Sequence, residues 1–273
     1  MAMVEASDGV RLYVEAHGAG IPWLFSCGYC TTRENWRPQV EPLVAAGARV
    51  ILWDYRGHGL SGAPDDASGY TMERVVDDIG RVLDWAAPGE AAVLAGLSFG
   101  GLASLHFAKR FPERVRGLFL AGSGPGFKKP EAQARWQAQV EKTAQIIEAK
   151  GPEALCRGRG AATTIGRDLE APAAKRAARA IAAQAPAAVA AFGRLVTGPA
   201  ESVIDDLASI DLPAMIVVGE EDAAFRRAAE VMTARLPRAE SLCIPGAGHI
   251  VNIEAEAAFN AATTGFLASL AAS

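Results

Sequence analysis

The sequence predicts an α/β protein: a mainly parallel, eight-stranded sheet flanked by helices, with a helical segment inserted late in the chain. Three observations predict it. Short apolar runs of strand length alternate with helical patterns up to Ala121 and again from Pro213. The stretch Ala91–Phe111, AAVLAGLSFGGLASLHFAKRF, reads as strand, sharp turn and helix, with a serine in the turn. Between the two alternating regions, residues 125–207 carry helical patterns but no buried strand. The expected division is therefore a core of residues 1–124 and 208–273 and a helical cap, or lid, of residues 125–207.

Taken in order, Met3–Ala6 and Arg11–Ala16 flank Ser7-Asp8-Gly9, a hairpin signal. Trp23–Ser26 is a short apolar strand, Cys27–Thr32 a loop, and Glu34–Ala46 a helix stopped by Gly47. Val50–Trp53 is the next buried strand, followed by the Gly-rich turn Asp54-Tyr55-Arg56-Gly57-His58-Gly59-Leu60-Ser61-Gly62. A helix runs to Trp85 with Thr71 as its N-cap. Val115–Ala121 is a strand. In the insert, Pro130, Pro152, Pro172, Pro186 and Pro199 divide an Ala-, Arg-, Lys- and Gln-rich segment into short helices. Ala214–Gly219 and Ser241–Ile244 are the last strands, separated by a helix over Ala224–Leu236. The terminal helix spans Glu254–Leu270. Trp23, Trp36 and Trp85 are expected in the core, and Trp136 against the lid.

Composition narrows the function. The chain has 273 residues, half of them hydrophobic, and a net charge of −4. No long basic run points to nucleic acid. No stretch of about 18 uninterrupted apolar residues points to a membrane span. Met1–Asp8 is short and carries Glu5 and Asp8, unlike a signal peptide, so a cytoplasmic protein is expected. The 4 cysteines are too sparse for a disulfide scaffold and show no zinc-site spacing. Cys27-Gly28-Tyr29-Cys30 is a C-x-x-C, which admits a redox reading beside that of a tight loop. Neither a dinucleotide fingerprint nor a G-x-x-x-x-G-K sequence is present, and no cofactor or metal is expected.

The candidate chemistry lies in Gly96-Leu97-Ser98-Phe99-Gly100, a G-x-S-x-G sequence. A turn this tight presses backbone against strand and helix, so a β-carbon at Gly96 or Gly100 would clash. It lifts Ser98 out of the sheet and sets it at a helix N-terminus, which favours developing negative charge. A serine hydroxyl needs a base, and the base an orienting acid. Of the 4 histidines, His249 follows Gly246-Ala247-Gly248 at the C-terminal edge of the sheet, where ligands gather in parallel sheets. His17 lies in the hairpin, His58 in the Gly-rich turn and His106 on a helix face. Asp222 ends another strand at the same edge, with Glu220 and Glu221 as alternative acids. Arg56, His58 and Ser61 are read as turn residues, and Arg157 and Arg159 as solvated lid charges.

The chain order Ser98, Asp222, His249 resembles that of the α/β-hydrolase fold superfamily. The resemblance runs nearly end to end and is weakest in the lid. It rests on the hairpin, Asp54-Tyr55-Arg56-Gly57-His58-Gly59-Leu60-Ser61, Gly96-Leu97-Ser98-Phe99-Gly100, Gly219-Glu220-Glu221-Asp222 and Gly246-Ala247-Gly248-His249. It implies an oxyanion hole made by the amides of Phe99 and Tyr29. Where the family usually has His-Gly this chain has Cys27-Gly28, and Gly28 keeps the backbone freedom that presents the Tyr29 amide. Gly28, Trp136 and Ile250 are placed in the substrate pocket. The dehalogenases and epoxide hydrolases of the superfamily use an aspartate where this chain has Ser98. The resemblance implies a cofactor-free serine hydrolase of a small ester or lactone, closest in pattern to enol-lactone and aryl-ester hydrolases, as a monomer or homodimer. A C–C bond hydrolase, a perhydrolase and a small-molecule sensor that retains the triad remain open beside it.

Overall fold

The apolar runs pair into one sheet. In the computed structural model, which describes residues 1–271, eight strands stand in the order β1-β2-β4-β3-β5-β6-β7-β8. They are β1 (Ala2–Glu5), β2 (Arg11–Gly18), β3 (Ile21–Ser26), β4 (Ala48–Trp53), β5 (Ala92–Leu97), β6 (Val115–Ala121), β7 (Ala214–Gly219) and β8 (Ala239–Ile244). The hairpin β1–β2 is antiparallel, β2 runs antiparallel to β4, and every later pairing is parallel. Strand β5 is buried at every residue, as a central strand covered on both faces must be. Its C-terminal end, with those of β7 and β8, forms the edge that carries the candidate residues.

The helices are α1 (Arg37–Ala45), α2 (Met72–Ala86), α3 (Phe99–Arg110), α4 (Pro130–Lys150), α5 (Gly158–Ala161), α6 (Pro172–Ala182), α7 (Pro186–Phe192), α8 (Ala223–Arg235), α9 (Val251–Glu254) and α10 (Glu256–Ala271). Thr71 caps α2, its hydroxyl accepting from the Arg74 amide at 3.2 Å. Two helices differ from the sequence reading. The segment at Glu34 opens as a 3-10 turn, Arg33–Trp36, capped by Thr32, and becomes α-helical at Arg37 with Pro38 in its first turn. The terminal helix, read as Glu254–Leu270, is α10 and starts at Glu256, and a separate short helix, α9, precedes it.

Trp23 and Trp36 are fully buried, but Trp85 is 42% exposed, against the expectation that it is core. The buried stripe of α2 is Val75, Ile79, Val82, Leu83 and Ala86. Trp85 is one residue short of that stripe, about 100° around the helix.

The Gly-rich turn after β4 is fixed by a buried cation. Arg56 donates to both Asp78 carboxylate oxygens, at 2.7 and 2.6 Å, and to the Gly69 carbonyl and Asp8. Ser61 donates to the Asp54 carbonyl and accepts from the Tyr13 amide. These bonds match the reading of Arg56 and Ser61 as turn residues. Among the described residues, no strand lies between β6 and β7; α4 to α7 occupy that interval. It leaves and returns at a closed neck, where the Val203 amide and the Ser202 hydroxyl donate to the Pro125 carbonyl at 2.8 and 3.1 Å. It docks on the sheet edge through Gln184, which donates to the Cys30 carbonyl and accepts from the Gly59 amide. Asn35 donates in turn to the Thr164 carbonyl. No single helix among the described residues is long and apolar enough to cross a membrane.

Candidate active site

Ser98 stands between β5 and α3 with φ +54° and ψ −117°, a left-handed conformation that costs a side-chain-bearing residue about 1–3 kcal/mol. Both sides of the turn hold it there. Its amide donates to the Ala121 carbonyl at 2.9 Å, and its carbonyl accepts from the Gly101 amide and the Ser123 hydroxyl. A β-carbon on Gly96 would stand 2.3 Å from the Gly100 carbonyl carbon, and one on Gly100 would stand 2.2 Å from the Ser26 carbonyl oxygen. The two glycines let the strand and the helix close on the serine.

Asp222 follows β7, and its carbonyl accepts the first amides of α8, from Phe225 and Arg226. Its Oδ2 lies 2.7 Å from Nδ1 of His249, in the loop after β8. With Nδ1–H donating to the carboxylate, Nε2 is left with a free lone pair, the arrangement of a general base. Phe225 stacks on the imidazole at 4.8 Å and 27°. The residue after Ala121, Gly122, packs so closely that a β-carbon there would stand 3.2 Å from His249 Nδ1 and 3.4 Å from Asp222 Oδ2. The end of β6 therefore joins the three: Ala121 holds the Ser98 backbone, and Gly122 borders the His249–Asp222 pair. Glu220 and Glu221 are engaged elsewhere, Glu220 with the Gly246 amide and Glu221 with Arg167.

The loop after β3 brings Gly28 beside the serine; a β-carbon on Gly28 would stand 3.4 Å from Ser98 Cβ. Thr31 donates to the Gly28 carbonyl from its amide and its hydroxyl, at 3.2 and 2.9 Å, and Cys30 turns the chain with φ +69°. Tyr29 follows Gly28 directly. The Phe99 amide is the first of α3 and has no intrahelical acceptor. Cys27 and Cys30 are buried free thiols, and burial pushes both up, which suppresses the thiolate that redox exchange requires.

Beside Ser98 opens a cavity of about 220 Å³, walled by Phe99, Leu102, Phe127, Trp136 and Phe225. Trp136 is held by its indole N–H, which donates to the Thr197 carbonyl at 2.9 Å. No charged side chain lines the cavity. Gly28 borders the serine from outside these walls. Ile250 is 1% exposed within the core and is absent from the cavity lining, so the sequence-based placement of Ile250 there does not hold.

The family model described as alpha/beta hydrolase fold matches residues 24–256. The chain belongs to this family. A putative carbamate hydrolase of Azorhizobium caulinodans is 40% identical over 146 residues, 54% of this chain and 52% of that protein. An epoxide hydrolase of Caballeronia sordidicola matches over 34% of its own length. Over 98% of both chains, a putative 2-succinyl-6-hydroxy-2,4-cyclohexadiene-1-carboxylate synthase of Bacillus subtilis is 26% identical. An esterase from Thermogutta terrifontis superposes with a TM-score of 0.85 at 26% identity, covering 98% of both chains. An enol-lactonase from Burkholderia xenovorans superposes with a TM-score of 0.82 at 23% identity, over 97% of this chain and 99% of that one, a likeness of fold.

In this alpha/beta hydrolase the other histidines meet different partners. His17 pairs with Glu15, and His106 contacts the Glu201 carbonyl. His58 is buried among Tyr55 and Phe192 with Nδ1 toward the Arg56 carbonyl, and burial pushes it down to about 4. Because its folded value lies below the ordinary 6.5, its neutral form stabilises the fold above that pH, and the contribution disappears as pH falls through about 4. Chemical denaturation at pH 7 and pH 4 should differ by roughly 3 kcal/mol from this group. His58→Leu should remove that part of the pH dependence, and an unchanged difference would refute the assignment.

Sequence reasoning missed Leu102, Phe127 and Phe225 as cavity walls. Phe225 had a usable signal: it falls in the first helical turn after Asp222, where a side chain returns toward the helix start. Phe127 had none, because its place depends on how the inserted segment packs.

Proposed function

We propose that this alpha/beta hydrolase cleaves small, uncharged carboxylic esters or lactones through a Ser98 acyl-enzyme. The observation that carries the reading is the 2.7 Å contact of His249 with Asp222 at the sheet edge where the strained Ser98 turn stands. In the proposed reaction Ser98 Oγ attacks the substrate carbonyl while His249 Nε2 takes the hydroxyl proton. The carboxylate of Asp222 holds the ring and stabilises the imidazolium. The amides of Tyr29 and Phe99 receive the oxyanion. Collapse expels the alcohol, which takes the proton from His249. Water, deprotonated by the same imidazole, then releases the acid and restores Ser98.

The substrate class follows from the cavity. An engineered cavity of about 150 Å³ binds benzene, so about 220 Å³ suits one aryl ring or a short branched chain with a few further atoms. A carboxylate entering these walls would lose its hydration and find no cation. This favours neutral esters over an anionic C–C substrate, although a 2-hydroxymuconate semialdehyde hydrolase of Pseudomonas is 43% identical over 118 residues. Residues 125–207 serve in this reading as the lid, with Phe127 and Trp136 forming its underside. The test is a panel of aryl esters, alkyl esters and lactones in neutral and carboxylate-bearing pairs. The neutral member should be preferred at least about tenfold in kcat/KM, and preference for the charged member would overturn the assignment. Trp136→Ala should extend turnover to bulkier neutral groups.

A further inference from the structure

The inserted segment touches the candidate site at a second place, away from the cavity. Arg167, in the chain after α5, reaches three groups with one guanidinium. Its Nε donates to Glu254 Oε2 at 2.5 Å, its Nη1 to Glu221, and its Nη2 to the Gly246 carbonyl at 2.5 Å. Glu221 directly precedes Asp222. Glu254 Oε2 also accepts the amide of Gly248, directly before His249, at 3.0 Å. The two loops meet further where the Glu221 amide donates to the Ala247 carbonyl and the Gly246 amide to Glu220. Arg167 thus spans the loop bearing the acid, the loop bearing the base, and α9 at once.

We propose that Arg167 is a positioning residue for the base: from the inserted segment it holds the loops of Asp222 and His249 in register and neutralises the carboxylates of Glu221 and Glu254. The proposal rests on the triad reading. The charged groups around His249 come from every neighbouring element. Asp222, Glu220 and Glu221 lie on the loop after β7, Glu254 on α9, and Arg167 on the insert. Helix α8 presents the Phe225 ring, while Arg226 and Arg227 are exposed and Arg227 pairs with Glu230. Glu256, at the start of α10, is exposed. Arg167 is the cation placed among the carboxylates. The Glu254 side chain is 5% exposed, so it is poorly screened once its partner is gone. Without Arg167, Glu221 and Glu254 favour the imidazolium, and the base is occupied by a proton at a higher pH. Arg167 lines none of the cavity, so substrate binding is left alone.

The test follows the His249 imidazole by NMR through pH in the wild type, Arg167→Met, Arg167→Lys and Arg167→Met/Glu221→Gln, with kcat and KM profiles in parallel. Arg167→Met should protonate His249 at a pH higher by roughly half a unit or more. The acid limb of kcat/KM should move with it, and kcat should fall about tenfold with KM within about twofold. Lysine should restore most of the loss, and the added Glu221→Gln should return the titration toward wild type. A folded Arg167→Met with a wild-type imidazole titration overturns the proposal, as does a shift that Glu221→Gln does not reverse. If Arg167→Met does not fold, Glu221→Gln in the wild-type background decides: a lower protonation pH supports the proposal and an unmoved one overturns it. The titration needs no substrate, so loss of the ester-hydrolase reading, signalled by turnover that survives Ser98→Ala, remains a separate result.

Discussion

Replacing Ser98 with alanine is expected to reduce kcat on the best neutral ester by about 10⁶-fold while leaving the protein folded. In the proposed mechanism the loss is this large because the nucleophile and its base act as a unit; without Oγ the imidazole can at best direct water from a less favourable position. Folding should survive because the bonds that hold the turn belong to the Ser98 backbone, to Ala121, Gly101 and Ser123. Among the described residues the Ser98 hydroxyl takes no protein hydrogen bond. Near-normal binding of a substrate-like ester with turnover abolished is the expected pattern. A fluorophosphonate should label the wild type and spare the variant. Turnover within about tenfold of wild type in Ser98→Ala would sink the mechanism.

Gly100→Ala should be among the most damaging small substitutions in the core. Its β-carbon would meet the Ser26 carbonyl oxygen at 2.2 Å and carbon at 2.6 Å, and the Cys27 carbonyl oxygen at 2.7 Å. These are backbone atoms at the end of β3 and the start of the Gly28–Tyr29 loop, so no rotamer relieves the clash. Either β3 moves against β5, or α3 lifts from the sheet and carries Ser98 with it. A loss of more than about 4 kcal/mol is expected, read as insoluble protein or a collapsed denaturation midpoint. Any surviving fraction should have impaired turnover. Gly265→Ala is the matched control: it lies within α10 with no atom near the added carbon, and should be neutral or stabilising by up to about 1 kcal/mol. A mild effect at Gly100 would mean that strand and helix are not closed on the turn as described.

How much the sequence disclosed follows from how local each constraint is. The Ser98 turn was legible because its glycines answer a clash within a few residues. The central strands β3 to β7 were legible because burial on two faces demands a continuous apolar run. Asp222 and His249 were legible as a pair because each follows a strand at the same sheet edge, although their 2.7 Å contact spans 27 residues. Trp85 was misread because bulk and apolarity say nothing about which side of α2 it faces. Ile250 was misplaced because adjacency to His249 in sequence does not fix direction: the chain enters α9 there and turns the side chain into the core. Leu102, Phe127 and Arg167 acquire their roles from how the inserted helices settle on the sheet. No periodicity encodes that.

The closed neck at Pro125 and Val203 has an evolutionary consequence. Strands β6 and β7 pair in parallel whatever hangs between them, with Leu118 opposite Ala214 and Ala121 opposite Val217. The intervening chain begins and ends at nearly one point, so lengthening or shortening it changes loop-closure entropy by only about 0.6 kcal/mol per doubling. A lineage is free to exchange this segment, and with it the Phe127 and Trp136 walls, without renegotiating the register of the sheet. Arg167 sets a limit on that freedom: a replacement segment that lacks an equivalent cation inherits the loops but not the clamp between them.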